Sequence, residues 1–284
     1  MQRGFVDSAT ELAELMVEIL SDNRMRATDE RKAQLLRIDD WYSRIQSGTV
    51  ELHGKGSEAG LARAAKLQVR FMKGAAKWAG KEGPYLCGDP GMHARLGIAL
   101  FEIGEEDSGA KSLVVGEKPL ELFELLWKSG QGATDKQTTS LRQVRLCRAT
   151  LHFASIGNLR DANRFHAAYI AKLGEQGKSS GGGGKKGNKK SKSACGQPPL
   201  AVFCTQLLRA CEYDAPPLFQ KLAQTYQGEL KADPSLTKYL HGIGKTYFKI
   251  QPPPSMMTQI LQMMGGMPGT GVGGMQGMHS MLGL

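Results

Sequence analysis

Proline has no amide hydrogen and a fixed φ, so a helical chain admits it in a first turn and is broken by it later. That rule constrains the stretch 198–250 more than any other part of this sequence. Pro198-Pro199, Pro216-Pro217 and Asp233-Pro234 each stand just ahead of a run whose apolar residues recur at helical spacing. The pattern predicts three short helices with proline at each start. Elsewhere Leu, Ala, Lys, Glu, Gln and Met dominate and β-branched residues are sparse, which favours helix over sheet. At 284 residues and 40% hydrophobic, the chain can bury one large core or two smaller ones.

From the amino terminus, Asp7 and Ser8 offer an N-cap, and Leu12, Leu15, Met16, Ile19 and Leu20 follow as the apolar face of a first helix. No polar capping helix precedes it, although the end repeat of a stacked array needs a polar outer face. The expectation is that this helix finds a partner or that the array starts part-way. A second helix is predicted over 28–46, with Leu35, Leu36, Ile38, Trp41, Tyr42 and Ile45 inside, and a third over 57–78. Residues 80–91, rich in glycine and proline, read as a loop. Residues 92–103 and 105–115 form a hairpin across Gly104, and Pro119 opens another helix.

The clearest hairpin joins 141–156 to 159–173 around Gly157-Asn158. Small residues (Ala149, Ala154, Ala162, Ala168) there alternate with aromatics (Phe153, Phe165, Tyr169), as in the tetratricopeptide repeat, although that repeat's consensus is absent. The fold expected is all-α: an α-solenoid of stacked antiparallel helical hairpins, a TPR-like right-handed superhelix.

Four regions follow. Residues 1–173 are the helical hairpin array. Residues 174–197, rich in Lys, Gly and Ser, cannot bury a core and read as a disordered insertion. Residues 198–250 are the closing helices. Residues 251–284 begin with prolines, contain no Asp, Glu, Lys or Arg, and hold eight of the thirteen methionines. Met256, Met257, Ile260, Leu261, Met263 and Met264 would form one apolar face if helical, to dock on the last repeat or on another protein; beyond Gly265 disorder is expected.

Charge and cysteine usage exclude several classes. The formal net charge is +10, but Lys178, Lys185, Lys186, Lys189, Lys190 and Lys192 sit in the one insertion, and setting those six aside leaves +4. A solvated segment explains them better than a polyanion site, because no aromatic is interleaved for base stacking. Cys87, Cys147, Cys195, Cys204 and Cys211 form no CxxC pair and are odd in number, so reduced thiols are expected rather than a zinc site or a disulfide framework. No apolar leader opens the sequence and no run reaches the roughly 18 apolar residues of a membrane span.

Chemical motifs are weak. HGIGKT (241–246) resembles the end of a phosphate-binding loop, but Tyr239 occupies the place of the required first glycine, and Leu236, Leu240 and Ile243 are helically spaced. The GTGVGG run at 269–274 fits GxGxxG with neither a strand before it nor a helix after. Cys204 or Cys211 with His241 would be a nucleophile pair with nothing to orient it. Glu102, Glu105, Glu106 and Asp107 read as a solvated helix edge. No catalytic residues, no metal ligands and no cofactor site are assigned.

The run FQKLAQTYQGELKADPSLTKYLHGIGKTYFKI closes the 198–250 block. Through Phe219, Leu222, Tyr226, Leu230, Asp233, Pro234, Tyr239, Leu240, Ile243, Gly244, Tyr247 and Phe248 it resembles the carboxyl-terminal signature of the subunit-four family of the GET pathway, the guided entry of tail-anchored proteins. Upstream, GDPGMH (88–93) before a helix and the 141–173 hairpin are similar to the same family. The resemblance implies a cytosolic, non-catalytic scaffold that helps deliver tail-anchored proteins to the endoplasmic reticulum. Its carboxyl-terminal half would hold a ubiquitin-like partner, its amino-terminal half would contact the targeting ATPase, and in animals it also joins a BAG-family scaffold. Family members carry further helices ahead of the one read at Asp7, and these make much of the ATPase contact. That contact is therefore the part of the role that carries over least.

Phe203, Leu207, Leu208, Phe219 and Leu222 are the expected partner-binding anchors, an amphipathic partner helix in an apolar groove being the expected mode. Rival readings are a helical-repeat scaffold of another complex and a nucleic-acid or polyanion binder working through the lysine-rich insertion.

Overall fold

The computed structural model describes residues 3–47, 58–85, 87–129, 136–179 and 198–250. All regular structure among them is helical: α1 (Arg3–Asp22), α2 (Asp29–Gln46), α3 (Glu58–Glu82), α4 (Pro90–Glu102), α5 (Glu106–Val115), α6 (Pro119–Ser129), α7 (Lys136–Ser155), α8 (Leu159–Ser179), α9 (Pro199–Glu212), α10 (Pro216–Thr225), α11 (Gln227–Leu230) and α12 (Pro234–Phe248). Met1–Ile250 is one compact unit. The Met-rich tail and its GxGxxG run lie outside the described residues, as do the lysines from 185 to 192.

The helix starts follow from residue chemistry. Proline opens α4, α6, α9, α10 and α12. Asp89 caps α4 by accepting the Met92 amide at 3.1 Å, and Asp233 caps α12 by accepting the Ser235 amide at 2.8 Å. The expected turn glycines Gly104 and Gly157 have φ of 83° and 85°, the left-handed region glycine enters without a Cβ penalty. At the second turn Asn158 accepts the Asp161 amide at 3.1 Å and starts α8.

Some boundaries differ from expectation. Asp7 and Ser8 lie inside α1 rather than capping it, and both Asp7 oxygens accept from Arg63 of α3 at 3.0 Å. α3 runs past Trp78 to Glu82, because the Glu82 carbonyl finds a donor in the Ala27 amide at 3.0 Å. α8 runs past Leu173 to Ser179, so the first residues of the expected insertion are helical, with Lys172 and Glu175 paired at 2.9 Å on its surface. A short α11 sits between the second and third of the expected closing helices.

Two apolar cores fill the unit. One is built from α1 to α4 around Leu35, Tyr42, Phe71, Met72, Trp78 and Leu100. The other runs from α5 to α12 around Leu113, Phe153, Phe165, Phe203, Leu207 and Ile243. α4 and α5 join them, packed so closely that a Cβ on Gly116 would lie 2.6 Å from the Ala94 nitrogen. Neighbours in sequence pack as neighbours in space, α1 and α2 on α3, α3 on α4, α7 on α8. α12 alone reaches far back, onto α7.

Candidate functional site

The 198–250 block folds around its own apolar side chains. α9 packs on α7, α8 and α10, and α12 packs on α7. Phe203 lies against Tyr226 (ring centres 5.1 Å apart), and Phe219 against Phe248 (4.7 Å). Cys204 faces Cys147 of α7, Sγ to Sγ 3.4 Å, both buried; the hydrogen bond with the Cys204 thiol and then burial push the Cys147 thiol up, away from nucleophilic use. His241 is on the exposed face of α12. The sulfur–imidazole pairing weighed above is therefore not formed.

The five expected anchors are all core residues. Phe203 and Leu207 are 0% exposed, Leu208 2%, Phe219 6% and Leu222 5%. They belong to the apolar cluster that also holds Phe153, Phe165 and Ile243, so none presents a face to a partner in this structure. What the block exposes is the corner between α9 and α10: Tyr213 is 79% exposed and Leu218 42%. Asp214, between them in sequence, takes a left-handed φ of 45°. Sequence periodicity assigns apolar residues to a buried face and cannot say whether chain or partner buries it. Tyr213 breaks the α9 stripe just after its end, and that break was the available signal.

α12 is tied down by polar contacts as well. Arg148 of α7 donates through Nε (2.9 Å) and Nη2 (2.6 Å) to Asp233, and through Nη1 (2.7 Å) to Asp107 of α5. Thr246 donates to the Ser155 carbonyl at 3.2 Å, and Gly242 lies on Ser155. HGIGKT is thus an ordinary stretch of packed helix, as its spacing predicted. His152 stacks on Tyr239, ring centres 4.6 Å apart. The acids near Gly104 are not a bare edge: Glu105 pairs with Lys73 at 3.4 Å, Glu106 with Arg145, and Asp107 with Arg148. Among the described residues no group of three His, Cys, Asp or Glu could hold a metal ion, and no helix is long and apolar enough to cross a membrane.

Residues 1–267 match the family described as Golgi to ER traffic protein 4. The chain is 24% identical over 272 residues to a Golgi to ER traffic protein 4 homolog of Dictyostelium discoideum, covering 94% of this chain and 74% of that one. It is 27% identical over 280 residues to Protein GET4 of Arabidopsis thaliana, covering 93% of this chain and 81% of the relative. The fold is similar to the crystal structure of C. therm. Get4, with a TM-score of 0.61 over 98% of this chain and 83% of that one at 23% identity. A helical solenoid with this closing block and a match along nearly its whole length belongs to the Golgi to ER traffic protein 4 family.

Proposed function

We propose that this chain is a cytosolic, non-catalytic adaptor in the delivery of tail-anchored membrane proteins to the endoplasmic reticulum. Family membership ties it to Golgi-to-ER traffic; the adaptor role is the finer reading. The observation that carries it is the match over 1–267, which takes in the whole closing block. In this reading the closing helices hold a ubiquitin-like partner, while the amino-terminal helices supply what contact there is with the targeting ATPase. A BAG-family scaffold is a further partner where one exists. Phe203, Leu207, Leu208, Phe219 and Leu222 act from beneath, fixing the α9–α10 corner. Tyr213 and Leu218 are the side chains that reach a partner, since both leave apolar surface open at the α9–α10 corner and tyrosine is among the residues that most often anchor an interface.

Co-expression with the ubiquitin-like subunit and capture on a tag tests this. Tyr213→Asp/Leu218→Asp is expected to abolish co-purification while the melting temperature stays within a degree or so, both side chains being exposed. Full capture by the folded double variant would move the docking site away from this corner. Failure of the unmodified chain to capture the subunit at all would overturn the adaptor reading.

A further inference from the structure

Between α5, α7 and α12 lies an open groove of about 530 Å³, with Lys111, His152, Lys238 and Tyr239 in its walls. His93 of α4 lines its end and also lines a second recess of about 340 Å³ beside Lys77 of α3. The two recesses meet at His93 and together take their walls from α3, α4, α5, α7 and α12, with a cation in each part. Lys77, Lys111 and Lys238 are exposed, and none forms an ion pair among the described residues. The acids nearby are already taken: Asp107 and Asp233 by Arg148, Asp89 by Lys32 at 3.0 Å, and Glu105 by Lys73. Three cations therefore stand along a concave track with no local counter-charge. That arrangement raises the local concentration of an anion and lets each contact count.

The geometry points to this groove as a docking track for an extended Asp/Glu-rich segment of a partner polypeptide. Charge complementarity selects the sign, and the open, two-recess shape suits an extended chain rather than a compact small molecule. The stretches of this chain outside the described residues do not supply an Asp/Glu-rich occupant: 180–197 and 251–284 contain no acid, and 48–57 and 130–135 hold one each, Glu51 and Asp135. Its own exposed acidic run, Glu105-Glu106-Asp107, is held by Lys73, Arg145 and Arg148, which argues against a second copy. Nucleic acid fits less well, because the one phenol ring in the track, Tyr239, already has a face stacked on His152, and no row of aromatic rings follows the lysines to stack successive bases. The track shares no residue with the α9–α10 corner, so the inference stands or falls apart from the adaptor reading.

Fluorescence anisotropy of a labelled decapeptide of alternating Asp and Glu, titrated with the full chain, tests it. The unmodified chain is expected to bind, with affinity falling as salt is raised. Lys111→Glu/Lys238→Glu is expected to weaken binding by about tenfold or more, and Lys111→Gln/Lys238→Gln by less, at unchanged melting temperature. Lys189→Glu/Lys190→Glu, in the lysine-rich segment, should leave the affinity within about twofold. The inference is overturned if the groove variants bind as the unmodified chain does, or if only the segment variant loses binding. It is equally overturned if an Asn/Gln decapeptide binds as well as the acidic one, or if a thymidine oligonucleotide of equal length binds more tightly through the same lysines.

Discussion

His166 shows how much one buried ring can decide. It is 6% exposed, and its Nε2 lies 2.8 Å from Thr205 Oγ1. The Thr205 hydroxyl has one proton and gives it to the Ala201 carbonyl at 3.0 Å, so the ring must donate from Nε2. Nδ1 is then a bare lone pair without a partner, and protonating it would bury an N–H with no acceptor. Burial accordingly pushes the His166 pKa down to about 4. Above pH 6.5 both folded and unfolded chains hold this ring neutral. Between pH 6.5 and about 4 the unfolded chain binds a proton that the folded chain refuses, so stability falls as pH falls, by up to about 3 kcal/mol from this residue. His166→Gln should remove that part of the slope in urea midpoints measured across the window; a slope equal to the unmodified chain's would assign it elsewhere. The same scale holds the lesson of the five anchors. Leu207 is fully buried, and Leu207→Ala should cost about 2–5 kcal/mol in a denaturation experiment, whatever it does to partners. Its apolar character was legible in the sequence; that it shares an internal core with Phe153 and Phe165, 54 and 42 positions away, is something periodicity does not reveal.

Elements were legible where a start or stop is written locally, as at Pro119, Asp233-Pro234 and Gly157-Asn158, whereas Asp89-Pro90, read as the end of a loop over 80–91, is where α4 starts. The facing of α1 was not. Leu12, Leu15 and Ile19, the large residues expected inside, are 69%, 49% and 49% exposed, while Val6, Thr10, Ala13, Val17 and Leu20 are buried. Two stripes compete on this helix, and the smaller one wins because it fits close against α3, Val17 meeting Gly74 at 3.5 Å from where a Cβ would be. Thr10 tolerates burial by bonding both the Val6 carbonyl and the Tyr42 hydroxyl at 2.6 Å. Close approach also sets the α4–α5 contact, and glycine substitutions separate it from helix propensity. Gly116→Ala would put a methyl into the Ala94 backbone, which cannot swing away, so a loss of about 1–3 kcal/mol outweighs the up to ~1 kcal/mol gained from a stiffer unfolded chain. Gly174, in α8, has nothing within 4 Å of its added Cβ, and Gly174→Ala should raise stability by about 0.5–1 kcal/mol. Calorimetry on the pair should show melting shifts of opposite sign; two shifts of the same sign would mean that the α4–α5 approach is looser than described.

At the scale of the whole molecule, the long-range ties matter most, because a solenoid is otherwise held by neighbours in sequence. Arg148 is the chief polar tie of this kind, joining α7 to Asp107 on α5 and to the cap residue of α12, Asp233, 85 positions away. Burial acts to raise the Asp233 pKa, but hydrogen bonds from Ser235 and Arg148 outweigh it and hold the carboxyl below its ordinary range. A depressed carboxylate adds stability above its unfolded pKa and loses it as pH falls through the folded one, so the tie is fully engaged at neutral pH. Arg148→Met keeps most of the side chain's packing and removes three charge-assisted bonds, which should cost about 2 kcal/mol given that the guanidinium is partly exposed. The distribution of that loss distinguishes a local tie from a general one. In hydrogen exchange on the full chain, amides of α12 should lose protection first and most, because α12 is the element whose cap Arg148 holds. The loss leaves it with the contacts to α7, including the Thr246–Ser155 bond and the Tyr239–His152 stack, and those to α10 and α11. Amides of α2, which packs on α3 and α4 around the other core, should be nearly unmoved. If α2 and α12 lose protection equally, the two cores open as one cooperative unit through the α4–α5 contact, and Arg148 stabilises the array as a whole rather than its closing helix.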